Sequence, residues 1–160
     1  MAFVTSDIAD PNPNNNTNSV TVSATAPFDA DGDGMPNWWE QRYGLVFSGG
    51  LGGTGDNGPD GDPDLDGVRN LDEWIADTDP KDPDSRLEIA DQVFEAGAGE
   101  FSLTIESSPI RLYVLEFTDD LSQPFTEVET VNGTGAPISF SHTSGTSLGY
   151  YRVQVRIPVS

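Results

Sequence analysis

Residues 29–40 read DADGDGMPNWWE, and residues 62–73 read DPDLDGVRNLDE. When the two stretches are aligned, both carry aspartate at positions 1, 3 and 5, glycine at position 6, asparagine at position 9 and glutamate at position 12. This repeated spacing predicts two copies of one acidic turn, which we call loop 1 (residues 29–40) and loop 2 (residues 62–73).

The shared spacing is that of the twelve-residue calcium loop of the EF-hand. Alternating aspartates converge on one point, glycine at position 6 permits the sharp turn, and glutamate at position 12 can close the site with both carboxylate oxygens. Position 7 offers a backbone carbonyl, and position 9 often acts through water. The candidate ligands are Asp29, Asp31, Asp33, Met35, Asn37 and Glu40 in loop 1, and Asp62, Asp64, Asp66, Val68, Asn70 and Glu73 in loop 2.

These ligand types favour calcium over other metals. Calcium takes six to eight oxygen ligands in flexible geometry, whereas magnesium prefers a strict octahedron that suits a bidentate glutamate poorly. Zinc is disfavoured because the chain has no cysteine and one histidine, His142. The alternative is a solvated acidic linker, but two complete copies of the loop argue against it. The sequence therefore predicts two bound calcium ions.

Further carboxylates surround loop 2, and residues 77–84 read DTDPKDPD. They could complete the second site or bind a third ion. A stiff, solvated linker explains the same alternation of acids and prolines equally well. The additional candidate ligands are Asp60, Asp77, Asp79, Asp82 and Asp84.

Helices are expected only on the exiting side of each loop, at about residues 36–43 and 70–76. The glycine-rich stretch at residues 50–59 cannot form a helix before loop 2, so these are not complete helix–loop–helix units. Such short helices are unstable alone in water. We expect them to be held by calcium and by packing of their aromatic residues Trp38, Trp39, Tyr43 and Trp74.

The C-terminal half alternates apolar and polar residues in short runs. Its strand candidates are residues 87–94, 101–105, 112–117, 125–131, 138–142 and 150–157. This pattern predicts an antiparallel β-sandwich of immunoglobulin or fibronectin type III architecture, one strand short of the usual seven. The candidate core residues are Leu103, Ile105, Leu115, Phe117, Phe140, Tyr151, Val153 and Val155.

The N-terminal residues 19–25, SVTVSAT, form a further strand candidate without a partner in their own segment. An isolated strand is not stable, so it must pair with the sandwich, with an upstream domain or with another copy of the chain. The expected organisation is an extended N-terminal segment (residues 1–28), a calcium-binding repeat region (residues 29–85) and a β-sandwich domain (residues 86–160). The chain is thus mostly β, with two short helices.

Charge restricts the partners. The net charge is −20, and residues 29–84 hold fifteen acidic and three basic residues. A chain this acidic should avoid nucleic acid and anionic membrane surfaces, and no stretch is long enough for membrane insertion. Because cysteine is absent, calcium would take the place of disulfides in stabilising a small domain.

The motifs DADGDGMPNWWEQRYGL (residues 29–45) and DLDGVRNLDEWIADTDPKDPDS (residues 64–85) resemble the bacterial thrombospondin type 3-like calcium repeats of large secreted proteins. The resemblance implies that the paired Asp and Glu residues are calcium ligands, and it implies no catalytic residue. Residues 86–160 resemble the small β-sandwich that often follows such repeats. Residues 4–6, 10–17 and 20–22 resemble the last strands of a bacterial surface immunoglobulin-like repeat.

These features predict a non-catalytic, calcium-stabilised structural module of a bacterial surface or secreted protein, located outside the cell where calcium is abundant. One alternative is a subunit of an extracellular filament in which residues 19–25 add a strand to another copy. A second alternative is a carbohydrate- or protein-binding accessory module with Trp38 or Tyr150 as its platform. An enzyme is not expected, because no nucleophile–base pair is recognisable.

Overall fold

The computed structural model describes residues 28–48, 53–146 and 148–158. The predicted strand at residues 19–25 lies outside this part of the chain. Two seven-residue helices, α1 (Asn37–Tyr43) and α2 (Asn70–Ala76), begin within the last four residues of the two loops, close to the expected positions, and a short 3-10 turn covers Gly55–Asn57. None of the helices described has the length and apolar character needed to cross a lipid bilayer.

Six antiparallel strands follow the helices and form two sheets of three strands each. Their order is β1-β2-β5 in one sheet and β4-β3-β6 in the other. The prediction of a mostly β chain with two short helices is confirmed. The strands are β1 (Ile89–Glu95), β2 (Glu100–Ile105), β3 (Leu112–Thr118), β4 (Thr126–Asn132), β5 (Ile138–Thr143) and β6 (Tyr150–Arg156).

The two sheets share one hydrophobic cluster. Alternate residues of each strand point to the same side, so pairs in register such as Leu103 with Phe140, and Leu115 with Val153, face this interior together. Two members, Tyr113 and Ile138, are not among the core residues predicted from the sequence. The buried members are Leu103, Ile105, Tyr113, Leu115, Ile138 and Phe140.

A second hydrophobic cluster joins the two helices. Met35, Trp39, Leu45 and Trp74 are buried in it, and the rings of Trp39 and Trp74 meet edge to face at 6.0 Å between centroids. Trp38 also touches Trp74, with 5.3 Å between centroids, but it remains 43% exposed. The aromatic residues therefore pack the helices against each other, as expected.

One buried arginine joins the helices to the sheets. Arg111, just before β3, is only 2% exposed. Its Nε donates to the carbonyl oxygen of Ile75 at 2.7 Å, and its Nη2 donates to that of Trp74. These are carbonyls of the last turn of α2, which have no partner within a short helix. Beside them, the Ser108 hydroxyl donates to the Asp77 carboxylate.

Candidate metal centre

Backbone amides hold the aspartates of loop 1 in place. Asp29 accepts hydrogen bonds from the amides of Gly32 at 2.8 Å and Gly34 at 3.0 Å, and Asp33 accepts one from Met35 at 2.9 Å. Gly34 has a φ of +95°, a conformation that glycine adopts without steric cost. These bonds turn the loop so that its aspartates face a common centre.

Loop 2 repeats this arrangement. Asp62 accepts from the Gly67 amide at 3.0 Å, Asp64 from the Asp66 amide at 3.2 Å, and Asp66 from the Val68 amide at 2.7 Å. In each case one carboxylate oxygen is used by the backbone. The second oxygen of each of these three aspartates is buried and has no hydrogen-bond donor in the described structure.

The two aspartate triplets are each compact enough to hold a metal ion. One oxygen from each of Asp29, Asp31 and Asp33 can be chosen so that all three lie within 4.8 Å of one another, and the same holds for Asp62, Asp64 and Asp66. The triplets are only partly buried, and exposed acidic groups often occur without an ion. Their geometry alone therefore permits a metal but does not require one.

The glutamates that end the loops are different, because both are fully buried at 0% exposure. Both carboxylate oxygens of Glu40 have no hydrogen-bond donor within the described residues, and neither does Oε2 of Glu73. The other oxygen of Glu73 accepts from the Thr78 hydroxyl at 3.2 Å. A buried carboxylate without a partner is costly.

Their pKa values reflect this environment. Burial raises the pKa of Glu40 to about 8, and the nearby charges of Asp33, Asp31 and Asp29 contribute to the same shift. Burial also raises the pKa of Glu73 to about 8, with Asp64 among the charges that add to the effect and the Thr78 hydrogen bond opposing it. Each buried glutamate thus belongs electrostatically to the triplet of its own loop.

The remaining predicted loop ligands play several roles. Met35 is fully buried in the helix cluster, and Val68 is partly buried. The Asn37 side-chain oxygen accepts the Ala30 amide at 2.8 Å, so it closes the turn of loop 1. Asn70 is fully buried and donates to the carbonyls of Asp56 and Gly58, while its own oxygen has no donor in the described structure.

This link between Asn70 and the glycine-rich segment before loop 2 is not evident from the sequence. Gly61 must be glycine there, because a Cβ atom would lie 2.6 Å from the Gly55 carbonyl oxygen. The backbone amide of Asn70 also donates to the Gly61 carbonyl at 2.8 Å. The segment therefore supports loop 2 from outside, a role for which its composition gives no signal.

The five additional candidates do not join either triplet. Among the described residues, only in the two triplets do three or more acidic or histidine side chains lie close enough together to share one metal ion. Asp60 pairs with Arg69 at 2.7 Å, and Asp77 accepts from Ser108. Asp79 and Asp82 each accept a hydrogen bond from a backbone amide two residues further along the chain, and Asp84 is exposed. Whether these residues complete the second site or bind a third ion stays a prediction.

Comparison with known proteins adds no assignment. No protein-family model, no curated protein and no solved structure matches this chain.

Proposed function

We propose that this chain is a non-catalytic, calcium-stabilised structural module of a bacterial surface or secreted protein. One observation carries the proposal: in each loop a fully buried glutamate without enough hydrogen-bond donors is electrostatically coupled to the compact aspartate triplet of the same loop. Four carboxylates so close together repel one another. A cation at the centre of each loop would remove this repulsion and supply the missing partner.

Calcium fits this donor set best. All of the donors are oxygens, and the glutamate at position 12 offers two of them, which suits the larger and more flexible coordination of calcium rather than that of magnesium. The sequences of the paired loops resemble thrombospondin type 3-like repeats. That resemblance, together with the abundance of calcium outside cells, supports an extracellular location.

Bound calcium would act through the two helices. Each helix has only seven residues, too few to persist alone in water. Glu40 lies in α1 and Glu73 lies in α2, so calcium held by these residues would anchor both helices to their loops. The last turn of α2 is held in turn by Arg111, which extends this effect to the sheets.

For the sheets we propose an immunoglobulin- or fibronectin type III-like sandwich. The order β6-β3-β4 corresponds to strands F, C and C′ of such a fold, and β1-β2-β5 corresponds to strands A, B and E. A shared hydrophobic cluster between the two sheets supports this assignment.

A structural role also suits the single histidine. His142 contacts the Tyr151 hydroxyl through Nδ1 at 3.0 Å, and its ring lies 4.9 Å from that of Phe117. These contacts link the two sheets and give His142 a packing role. They support a non-catalytic assignment.

Calorimetric titration with calcium tests the proposal. The full chain should bind two calcium ions, and Glu40→Gln should bind one, because the amide cannot supply two anionic oxygens. Glu129→Gln, on the exposed part of β4, is the matched control and should still bind two. Absence of calcium binding, or an unchanged stoichiometry in Glu40→Gln, would contradict the assignment.

A further inference from the structure

The inner face of β1 is uncovered. Strand register places Ile89 opposite Ile105 and Phe94 opposite Phe101, so these side chains point to the same side as the core. Ile105 is 1% exposed, but Ile89 is 54% exposed and Phe94 is 59% exposed. Two apolar residues on the core side of a strand therefore remain in contact with water.

An offset between the sheets explains this exposure. The ring of Phe101 in β2 stacks on that of Tyr151 in β6, with 4.0 Å between centroids, so β2 lies opposite β6. His142 in β5 lies against Phe117 in β3. The remaining strand of the first sheet, β1, consequently faces the position beside β6, which no strand of the described chain occupies.

A groove lies at this position. It has a volume of about 280 Å³, and its lining includes Ile89 and Gln92 of β1 and Tyr151 and Val153 of β6. Within the described ranges β6 pairs only with β3, so its other edge has backbone groups available for a further strand. In the proposed sandwich this is the position of strand G, which follows strand F in its sheet.

We propose that residues 19–25 of a second copy of this chain occupy the groove by pairing with the outer edge of β6. The segment reads SVTVSAT, so Val20, Val22 and Ala24 share one face that would cover Ile89 and Phe94. Its seven residues match the seven residues of β6. This interaction goes beyond the proposed calcium-binding role.

Charge supports this occupant. The chain carries a net charge of −20, yet residues 11–28 contain no charged residue at all. Two copies of an acidic chain repel each other. An uncharged strand is the part of one copy that can approach the other without adding to that repulsion.

The position of Phe28 favours a second copy over the same copy. Its carbonyl oxygen accepts the Asn37 amide at the base of loop 1, and residue 25 can lie only about 10 Å away along the chain. Loop 1 approaches Leu71 at the start of α2, whereas the sheets contact the end of α2 through Arg111. Loop 1, into which this segment leads, therefore meets the start of α2, whereas the sheets meet its end.

Four substitutions in the full chain test the proposal, all measured in calcium by light scattering over a range of concentrations. Val22→Asp places a charge on the face of the donor that would enter the groove, and Thr21→Asp places the same charge on its other face. Phe94→Asp places a charge on the uncovered inner face of β1, which the donor would cover, and Val93→Asp places the same charge on the opposite face of β1. Both β1 residues are already exposed, so folding should be retained, which far-ultraviolet circular dichroism checks.

The unmodified chain, Thr21→Asp and Val93→Asp should form particles of many chains. Val22→Asp and Phe94→Asp should each remain single chains. An equal mixture of these two variants should form particles of two chains and no larger. In such a pair Val22→Asp supplies only the groove and Phe94→Asp supplies only the donor.

If the unmodified protein has the mass of a single chain, the proposal is wrong. This includes the case in which residues 19–25 fill the groove of their own copy. Assembly that survives both Val22→Asp and Phe94→Asp would also overturn it. None of the four substitutions changes loop 1 or loop 2, so calcium titration of the same samples tests the proposed function separately.

Discussion

The guanidinium of Arg111 lies 4.5 Å from the centre of the Trp74 ring, and its Nη2 donates to the Trp74 carbonyl oxygen. Arg111 precedes the central strand β3, and Trp74 lies in the helix that carries Glu73. The same arginine thus stacks on a buried ring of the helix cluster and donates hydrogen bonds to carbonyl groups in the last turn of α2. Through this contact, the stability of loop 2 should influence the stability of the sheets.

Replacement of Arg111 should uncouple these two parts. Arg111→Ala leaves the carbonyls of Trp74 and Ile75 without their donor, and we expect it to lower the free energy of unfolding by about 3 kcal/mol. All three tryptophans, Trp38, Trp39 and Trp74, lie in the helix region, so their fluorescence follows that region alone. The β-strand signal in far-ultraviolet circular dichroism follows the sheets.

In the unmodified protein, fluorescence and circular dichroism should report unfolding at one temperature. In Arg111→Ala they should report two different temperatures, and calcium should raise only the temperature of the fluorescence transition. Arg156→Ala serves as the control, because Arg156 forms an exposed ion pair with Glu127 that contributes little. Coincident transitions in Arg111→Ala would show that the helices and sheets are coupled by other contacts.

The metal-free protein should lose stability as pH rises. Glu40 and Glu73 have pKa values of about 8 in the folded chain, against an ordinary value of 4.5. Between these values the folded state binds more protons than the unfolded state, so the free energy of unfolding falls with increasing pH. In chelator, the melting temperature should therefore decrease from about pH 5 to pH 8.

Saturating calcium should reverse this trend, because the metal binds the deprotonated carboxylates. The double variant Glu40→Gln with Glu73→Gln should show a much flatter dependence in chelator. A melting temperature that rises with pH in the metal-free protein would contradict the environments described for these glutamates.

The turn in loop 2 depends on the backbone of Gly67. Its φ is +91°, and no atom lies within 4 Å of the position a Cβ would take, so Gly67→Ala introduces backbone strain without a clash. We expect a loss of about 1–2 kcal/mol in stability and weaker calcium binding at one of the two sites. Calorimetric titration distinguishes the two sites.

Gly97→Ala is the matched control for this substitution. Its Cβ would also meet open space, and Gly97 does not have a positive φ. It should therefore leave calcium binding unchanged. Equal effects of the two substitutions would argue against a specific requirement for the left-handed turn.

The helix cluster should depend far more on Trp39 than on Trp38. Trp39 is fully buried and Trp38 is 43% exposed. Trp39→Ala should cost about 3–5 kcal/mol, and Trp38→Ala should cost about 1–2 kcal/mol because much of its surface already contacts water. Urea unfolding in calcium measures both values, and a larger loss for Trp38→Ala would contradict the packing described.

The sequence predicts the six strands and two helices because their signals are local. Alternation over a few residues marks β2 and β3, and the loop motif marks where each helix begins. The burial of Arg111 could not be predicted in this way, since its partners Trp74 and Ile75 lie 37 and 36 residues away in the sequence. Its charge alone favours a surface position.

The exposure of Phe94 was also beyond the sequence, because it depends on how one sheet is offset against the other. For the candidate site, the sequence predicted both aspartate triplets and both glutamates as ligands, and the structure brings the aspartates of each triplet together. It did not reveal the support that Asn70 gives through the carbonyls of Asp56 and Gly58. A glycine-rich segment has no periodic signal from which such a contact can be inferred.

Thermal unfolding of the full chain in calcium, in magnesium and in chelator tests the central claim most directly. Calcium should raise the melting temperature strongly, because it binds only the folded loops and stabilises them by mass action. Magnesium should have a much smaller effect. Equal melting temperatures in calcium and in chelator would contradict the account, because the buried glutamates would then be stable without the ion.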